Sequence, residues 1–413
     1  MLNLAIQLST LLSGLLINFV TPAVFGLTAY GEFIAANALI FLIHKTVDIA
    51  IDPLIKFAEN NHHVLFISLV LNIVVFMVFA LLHVLTGLGS PLLLLSMLLS
   101  SSVILSMHAM RQKTALLLFQ LAVVILFVGL VAWSYLNAFA LPIVRILEAS
   151  ALIPALIAVV YLVIAGEGLP ARGEFKRIMR AVVRAAPQLL SVTLVYNIMT
   201  NALPLLLSFM LSARDLGIYR IASSVVQSAN ALFPINTRAI FAALVKDEAR
   251  TSLWGALSRI AVFYFSLAGA GVLLVGILFP QLAHYTLLAV CFPSLYFAVV
   301  TERYLIASGQ ARKVARINWF VGVLVLVTAA FQHQLIQIWM LYACAFALYA
   351  ICLAITTGAA KRMLPVFILC PITMTLTLIS PWAGVAYLAL TAILQVIWNR
   401  LSFQDIKLVW RGI

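Results

Sequence analysis

The sequence predicts an all-α polytopic membrane protein. Three observations carry that prediction: apolar stretches of spanning length, a low density of charge, and cations gathered in alternate loops. Of 413 residues, 65% are hydrophobic and 9% are charged, where a soluble globular domain would have about 25% charged. The mean hydropathy is +1.17. A helix needs roughly 20 residues to cross the hydrocarbon core, with a usual range of about 17–25. Fourteen stretches qualify, near 1–22, 32–55, 64–83, 86–108, 114–135, 139–165, 187–211, 217–243, 259–280, 283–304, 315–331, 335–357, 363–380 and 382–398. Redividing spans nine to twelve gives twelve as the alternative count.

Every other loop is basic. One set of loops, with the C-terminal tail, carries Lys56; Arg111 and Lys113; Arg172, Lys176, Arg177, Arg180 and Arg184; Lys246, Arg250 and Arg259; Arg303, Arg312, Lys313 and Arg316; Lys361 and Arg362; and Arg400, Lys407 and Arg411. The opposite set carries only Arg214. Basic residues beside a helix end resist translocation, so the bias predicts an even number of spans with both termini in the cytoplasm. The net charge of +13 is then a record of topology and does not imply nucleic acid as a partner. Cys291, Cys344, Cys352 and Cys370 lie inside apolar spans without metal-ligand or redox spacing, and are predicted to be packing residues.

Along the chain, the first span carries Asn3, Gln7, Thr10, Gly14, Asn18 and Thr21 at steps of three or four, which is one helix face. The second carries Asn37, His44, Lys45, Asp48 and Asp52. Arg145 and Glu148 lie three apart in the sixth, as Lys45 and Asp48 do in the second, so each pair can bridge on its own helix. Between spans six and seven, Phe175, Ile178, Met179, Val182 and Val183 alternate with five cations at helical spacing. That pattern predicts a basic amphipathic helix lying on the inner leaflet. Asn197, Thr200, Asn201, Pro204 and Ser208 share a face of the seventh span, and Arg220, Ser223, Ser224, Gln227, Asn230 and Arg238 one of the eighth. Spans nine to fourteen are almost free of internal charge.

Polar stripes in lipid require partners or water, so these four helices predict either interhelical hydrogen bonding or a wet cavity. A gapless match at an offset of 186 residues aligns Gly31–Ile40 with Gly217–Val226, each opening the second span of its half. Six spans per half keep the halves parallel, which predicts two six-helix lobes related by an axis along the membrane normal. The predicted division is a lobe over 1–166, a linker helix over 167–186, a second lobe over 187–360, and two extra helices with a tail over 361–413.

Thr21-Pro22, Phe25-Gly26 and Tyr30-Gly31-Glu32-Phe33, together with Leu207-Ser208, Asp215 and Gly217-Ile218-Tyr219, resemble the polysaccharide flippases of the multidrug, oligosaccharidyl-lipid and polysaccharide exporter superfamily. Arg184–Leu190 is similar to that family's proline entry to helix seven, and Tyr304–Gln310 with Arg312 and Lys313 to its loop after helix ten. The resemblance implies a bacterial inner-membrane flippase that moves an undecaprenyl-pyrophosphate-linked sugar repeat unit to the outer leaflet, through a cavity walled by helices one, two, seven and eight. Related flippases often carry an acid in mid-helix seven; Asn197 and Asn201 stand here.

Under that reading, Lys45, Arg145 and Arg220 face the anionic pyrophosphate, and Asn197, Asn201, Ser223, Gln227 and Asn230 line the sugar path. His44, Asp48, Asp52 and Glu148 tune those cations or exchange ions. Expected partners are the lipid-linked oligosaccharide, the phospholipid bilayer, a polysaccharide polymerase and a chain-length regulator. No nucleotide- or metal-binding motif occurs, so no cofactor is expected, and energy comes from a proton or sodium gradient or from consumption of the product. The alternatives are an ion-coupled multidrug exporter of the same superfamily and a membrane glycan polymerase or ligase. The enzyme would need a large outer loop to hold a glycan, and the longest expected here is about ten residues.

Overall fold

The computed structural model describes residues 2–51, 54, 63–136, 141–165, 172–232, 244, 250–399, 401–402, 404–406 and 409. In chain order its main helices are α1 (Leu2–Phe25), α2 (Leu27–Ile51), α3 (His63–Thr86), α4 (Pro91–Ala109), α5 (Lys113–Leu136), α6 (Ile143–Ile164), α7 (Arg172–Val192) and α8 (Leu194–Leu207). They continue as α9 (Ala213–Leu232), α10 (Arg250–Leu278), α11 (Pro280–Ala307), α12 (Ala311–Ala329), α13 (Leu335–Thr357), α14 (Ala360–Ile379) and α15 (Pro381–Ile397). Each of the fourteen predicted stretches carries helix, and among the described residues there is no strand. Eight described helices are individually long and apolar enough to cross a bilayer, and α7 with α8 adds a ninth if that bent pair is one span. The outer face of α3 exposes Ile73, Val74, Met77, Val78, Leu81 and Val84, each 51–78% accessible. Such a stripe is far larger than water-soluble surfaces tolerate and suits hydrocarbon. The chain is an all-α polytopic membrane protein.

The helices sort into two compact units, one of Met1–Leu190 with Thr200–Arg220, the other of Ser191–Met199 with Ile221–Ile413. In the first, α1, α3, α4, α5 and α6 share a core around Ile6, Leu65, Val103, Leu116, Phe119 and Leu162. Gly26 turns the chain from α1 into α2 in a single residue at φ +88°, a conformation costly for any residue with a Cβ. The repeat predicted at Gly31 and Gly217 becomes a reciprocal contact within this unit. A Cβ on Gly31 would fall 1.6 Å from the Ala213 carbonyl oxygen, and one on Gly217 would fall 2.7 Å from that of Leu27. The same 186-residue offset separates Leu27 from Ala213 and Gly31 from Gly217, so each glycine meets the position that corresponds, in the other copy, to the residue four before it.

The amphipathic helix is present as α7, with two differences from expectation. Its apolar face is not turned to lipid: Ile178 and Val182, with Phe175 and Met179, pack on Ile51, Leu54, Val64, Ile67 and Leu105. The protein itself supplies the surface that covers these four residues, while Val183 of the same stripe is exposed. Nor does it stop before Pro187; the helix continues to Val192 and the axis turns by 75° into α8. Pro187 removes one N–H, but helical dihedrals suit proline and the helix is not ended.

In the second unit α10 packs along α11 and α15, and α13 along α11, α12 and α14. Aromatic rings fill the centre, with Phe265 stacked on Tyr296 at 3.4 Å between centroids and Phe297 against Phe367 at 4.8 Å. Cys291 and Cys370 are buried, Cys344 is exposed, and all four cysteines are free thiols.

Candidate functional site

The site forms around Arg220, on the first half of α9. Three groups lie against its guanidinium. Its Nη1 donates to the Thr200 carbonyl at 3.1 Å. The guanidinium lies 5.5 Å from the centroid of Phe41 and beside the Tyr30 hydroxyl. Tyr30 in turn donates to Asn18 Oδ1 at 2.6 Å. The Thr200 carbonyl is available because its helical donor would be the N–H of residue 204, and Pro204 has none. A π turn over Ile198–Ala202 lies at this point of the chain, and such turns are frequent at functional sites. One polar chain, Asn18 to Tyr30 to Arg220 to Thr200, therefore runs through α1, α2, α9 and α8, the four helices whose stripes the sequence singled out.

Two further clusters lie on α2. Tyr30, Asn37 and His44 are spaced by seven, on one face of that helix. Asn37 donates to Phe33 O at 2.9 Å and accepts from the Ser90 N–H at 3.2 Å. Ser90 caps α4 and gives its hydroxyl to Glu148, whose other oxygen accepts from Arg145 Nη1 at 2.7 Å. The Glu148 side chain is 3% exposed and that of Arg145 is 60% exposed. Two turns further along α2, His44 Nε2 is 2.9 Å from Ser101 Oγ, and Lys45 bridges to Asp48 at 2.7 Å with both side chains about two-fifths exposed.

The predicted residues thus gather in three places, with Arg220, Arg145 and Lys45 each in a different cluster. Both expected intrahelical ion pairs form. Asn197 and Asn201 are buried at the π turn, where Asn201 donates to Thr200 Oγ1 at 2.8 Å. Ser223 is fully buried and Gln227 half-buried. Asp52, Arg238 and the Asn230 side chain lie outside the described residues. Sequence reasoning missed Tyr30, Ser90 and Ser101 as site residues. Ser90-Pro91 at a helix start and Pro204 four residues after Thr200 were the available signals.

It also passed over a buried network in the second unit, in spans expected to be nearly charge-free. Asn318 Oδ1 accepts the Val195 N–H at 3.0 Å, its Nδ2 donates to the Tyr349 hydroxyl at 2.9 Å, and that hydroxyl donates to Glu302 at 2.9 Å. The Val195 N–H is freed from the helical ladder by the break at Thr193. Nearby, Tyr342 donates to the Met199 carbonyl at 3.1 Å and Trp319 to Ser191 Oγ at 3.2 Å.

Among the described residues no three His, Cys, Asp or Glu side chains are grouped to hold a metal ion. The arrangement offers a paired guanidinium beside hydroxyls and amides inside a membrane protein, which is a means of holding an anion with polar substituents. No protein-family model, curated protein or solved structure matches this chain.

Proposed function

We propose that this protein is a transporter, not an enzyme, and that it flips lipid-linked oligosaccharides across the bacterial inner membrane by alternating access, from the cytoplasmic to the periplasmic leaflet. The observation that carries this reading is the polar chain centred on Arg220. It is drawn from the four striped helices and places one cation among hydroxyl, amide and aromatic groups. An undecaprenyl-pyrophosphate headgroup supplies matching negative charge, and its glycan matches the hydroxyl and amide groups of Asn18, Asn197, Asn201, Thr200, Ser223, Gln227 and Asn230. Lys45 and Arg145 add cations, while His44, Asp48, Asp52 and Glu148 tune them or couple a proton or sodium ion. Both termini are proposed to be cytoplasmic, and the emerging repeat units to pass to a polymerase and its chain-length regulator.

The test is to delete the gene, extract the lipid-linked oligosaccharides and assign their leaflet with an impermeant glycan-binding probe. Single repeat units trapped on the cytoplasmic face are expected, with rescue by the wild-type protein, partial rescue by Arg220→Lys and none by stably inserted Arg220→Ala. Unpolymerised units at the outer face would indicate a polymerase or ligase instead, and absence of accumulation would indicate an exporter of other cargo.

A further inference from the structure

The exposed face of α7 has no part in the site around Arg220, and its chemistry is specific. Gly173, Lys176, Arg177, Arg180, Ala181 and Arg184 line a cavity of about 350 Å³. Gly173, Lys176, Arg180 and Arg184 step by three or four residues with Arg177 and Ala181 beside them, so four cations project over about two turns of one side of the helix, with Gly173 and Ala181 leaving low ground between the long side chains. Like charges at such spacing repel by a few tenths of a kcal/mol per pair, and the sequence accepts this without acidic compensation on that face. Among the described residues Lys176, Arg180 and Arg184 have no ion-pair partner. The acid of this helix, Glu174, is turned away to His63 at 2.9 Å.

The packed face fixes the height of the cavity. Phe175, Ile178, Met179 and Val182 pack on Ile51 and Leu54, on Val64 and Ile67, and on Leu105 and Ala109, the last residue of α4. α4 thus terminates at the level of α7, and Arg111 with Lys113, the first residue of α5, follows it there. That is the depth of lipid headgroups on the basic, inner side. Because protein already covers Phe175, Ile178, Met179 and Val182 and leaves only Val183 of the stripe exposed, what this helix chiefly offers is its cations.

We infer that the cationic face of α7 is a binding site for the phosphate of an anionic membrane-lipid headgroup. Arginine forks and the lysine ammonium supply charge-assisted hydrogen bonds to phosphate oxygens. The site stands whatever the protein transports.

Binding is read by native mass spectrometry of the full-length protein in detergent, titrated with phosphatidylglycerol and with phosphatidylcholine. Wild type is expected to prefer phosphatidylglycerol. Lys176→Gln/Arg180→Gln/Arg184→Gln should weaken it about a hundredfold at low salt, and Arg180→Gln alone about fivefold. Arg312→Gln/Lys313→Gln, in the basic first turn of α12, should change it less than twofold. The single variant, at an exposed position, keeps the test valid if the triple variant does not fold. Equal affinity for both lipids, an unchanged Arg180→Gln variant, or an equal loss in the Arg312/Lys313 control would overturn the site. Displacement of the lipid by inorganic pyrophosphate at matched phosphate concentration would assign it to a soluble ligand and overturn the lipid assignment.

Discussion

A single methyl group separates Gly31 from a steric conflict with backbone. The Cβ of Gly31→Ala would sit 1.6 Å from the Ala213 carbonyl oxygen, and backbone on both helices would have to move. Overpacking of this kind costs about 1–3 kcal/mol or more, so Gly31→Ala should lower the thermal unfolding midpoint in detergent by several degrees. Gly14→Ala is the contrast: nothing lies within 4 Å of its Cβ, and a helix-interior alanine gains up to about 1 kcal/mol. Equal midpoints for the two variants would contradict the close crossing of α2 and α9. At the Arg145 pair the expected behaviour is non-additive. Arg145→Ala leaves Glu148, 3% exposed, with the hydrogen bond from the Ser90 hydroxyl. Since Arg145 is itself largely exposed, the loss should be about 1–2 kcal/mol, below the usual cost of breaking a fully buried pair. Adding Glu148→Gln should recover part of it, a coupling that a double-mutant cycle measures. Additive losses would mean that the pair is incidental.

The break between α7 and α8 could not be placed from local sequence, and the reason is physical. Pro187 is the local punctuation, yet the helix runs past it to Val192 because the apolar stripe from Phe175 to Val182 already anchors the preceding turns. The actual break, at Thr193, is stabilised from 123 residues away, where Asn318 takes the Val195 N–H. A donor so remote in sequence leaves no periodic trace, whereas the amphipathic α7 and the polar stripes of α1, α2, α8 and α9 are written in spacing and could be read directly. Asn318→Leu should therefore strand a buried N–H and disconnect Tyr349, costing about 1–3 kcal/mol. Trp319→Phe, which loses one partly exposed bond to Ser191, should cost no more than about 1 kcal/mol. Thermal unfolding of both variants checks this, and a Trp319 loss equal to or above that of Asn318 would remove Asn318 from its role.

At the scale of the whole chain, composition and loop charge were sufficient for the membrane class, because both depend on averages that tertiary detail does not alter. The grouping of helices was less accessible: the chain changes unit after Leu190, after Met199 and after Arg220, each time inside a helix that the sequence marks as continuous. Docking of the C-terminal tail was equally hidden. Arg259, counted from sequence as a loop cation, lies within α10 and grips Asp405 through two guanidinium nitrogens, while the Ser402 N–H bonds the same carboxylate at 3.0 Å. Burial pushes the Asp405 carboxyl up, but the hydrogen bonds from Arg259 and Ser402 outweigh it and hold the group below the ordinary carboxylate range. The sign follows from linkage: tail docking is fully stabilised above the ordinary aspartate value and is lost as pH falls through the lowered one. Hydrogen exchange at the amides of Leu401 and Asp405, which bond Gln395 and Ser402 carbonyls, should therefore show constant protection from neutral pH down to the ordinary carboxylate range, once corrected for intrinsic rates, and falling protection below it. Asp405→Asn should be less protected at neutral pH and should lack the acid step, since no proton remains to be taken up there. An Asp405→Asn tail as protected as the wild type at neutral pH would show that the ion pair does not hold the tail.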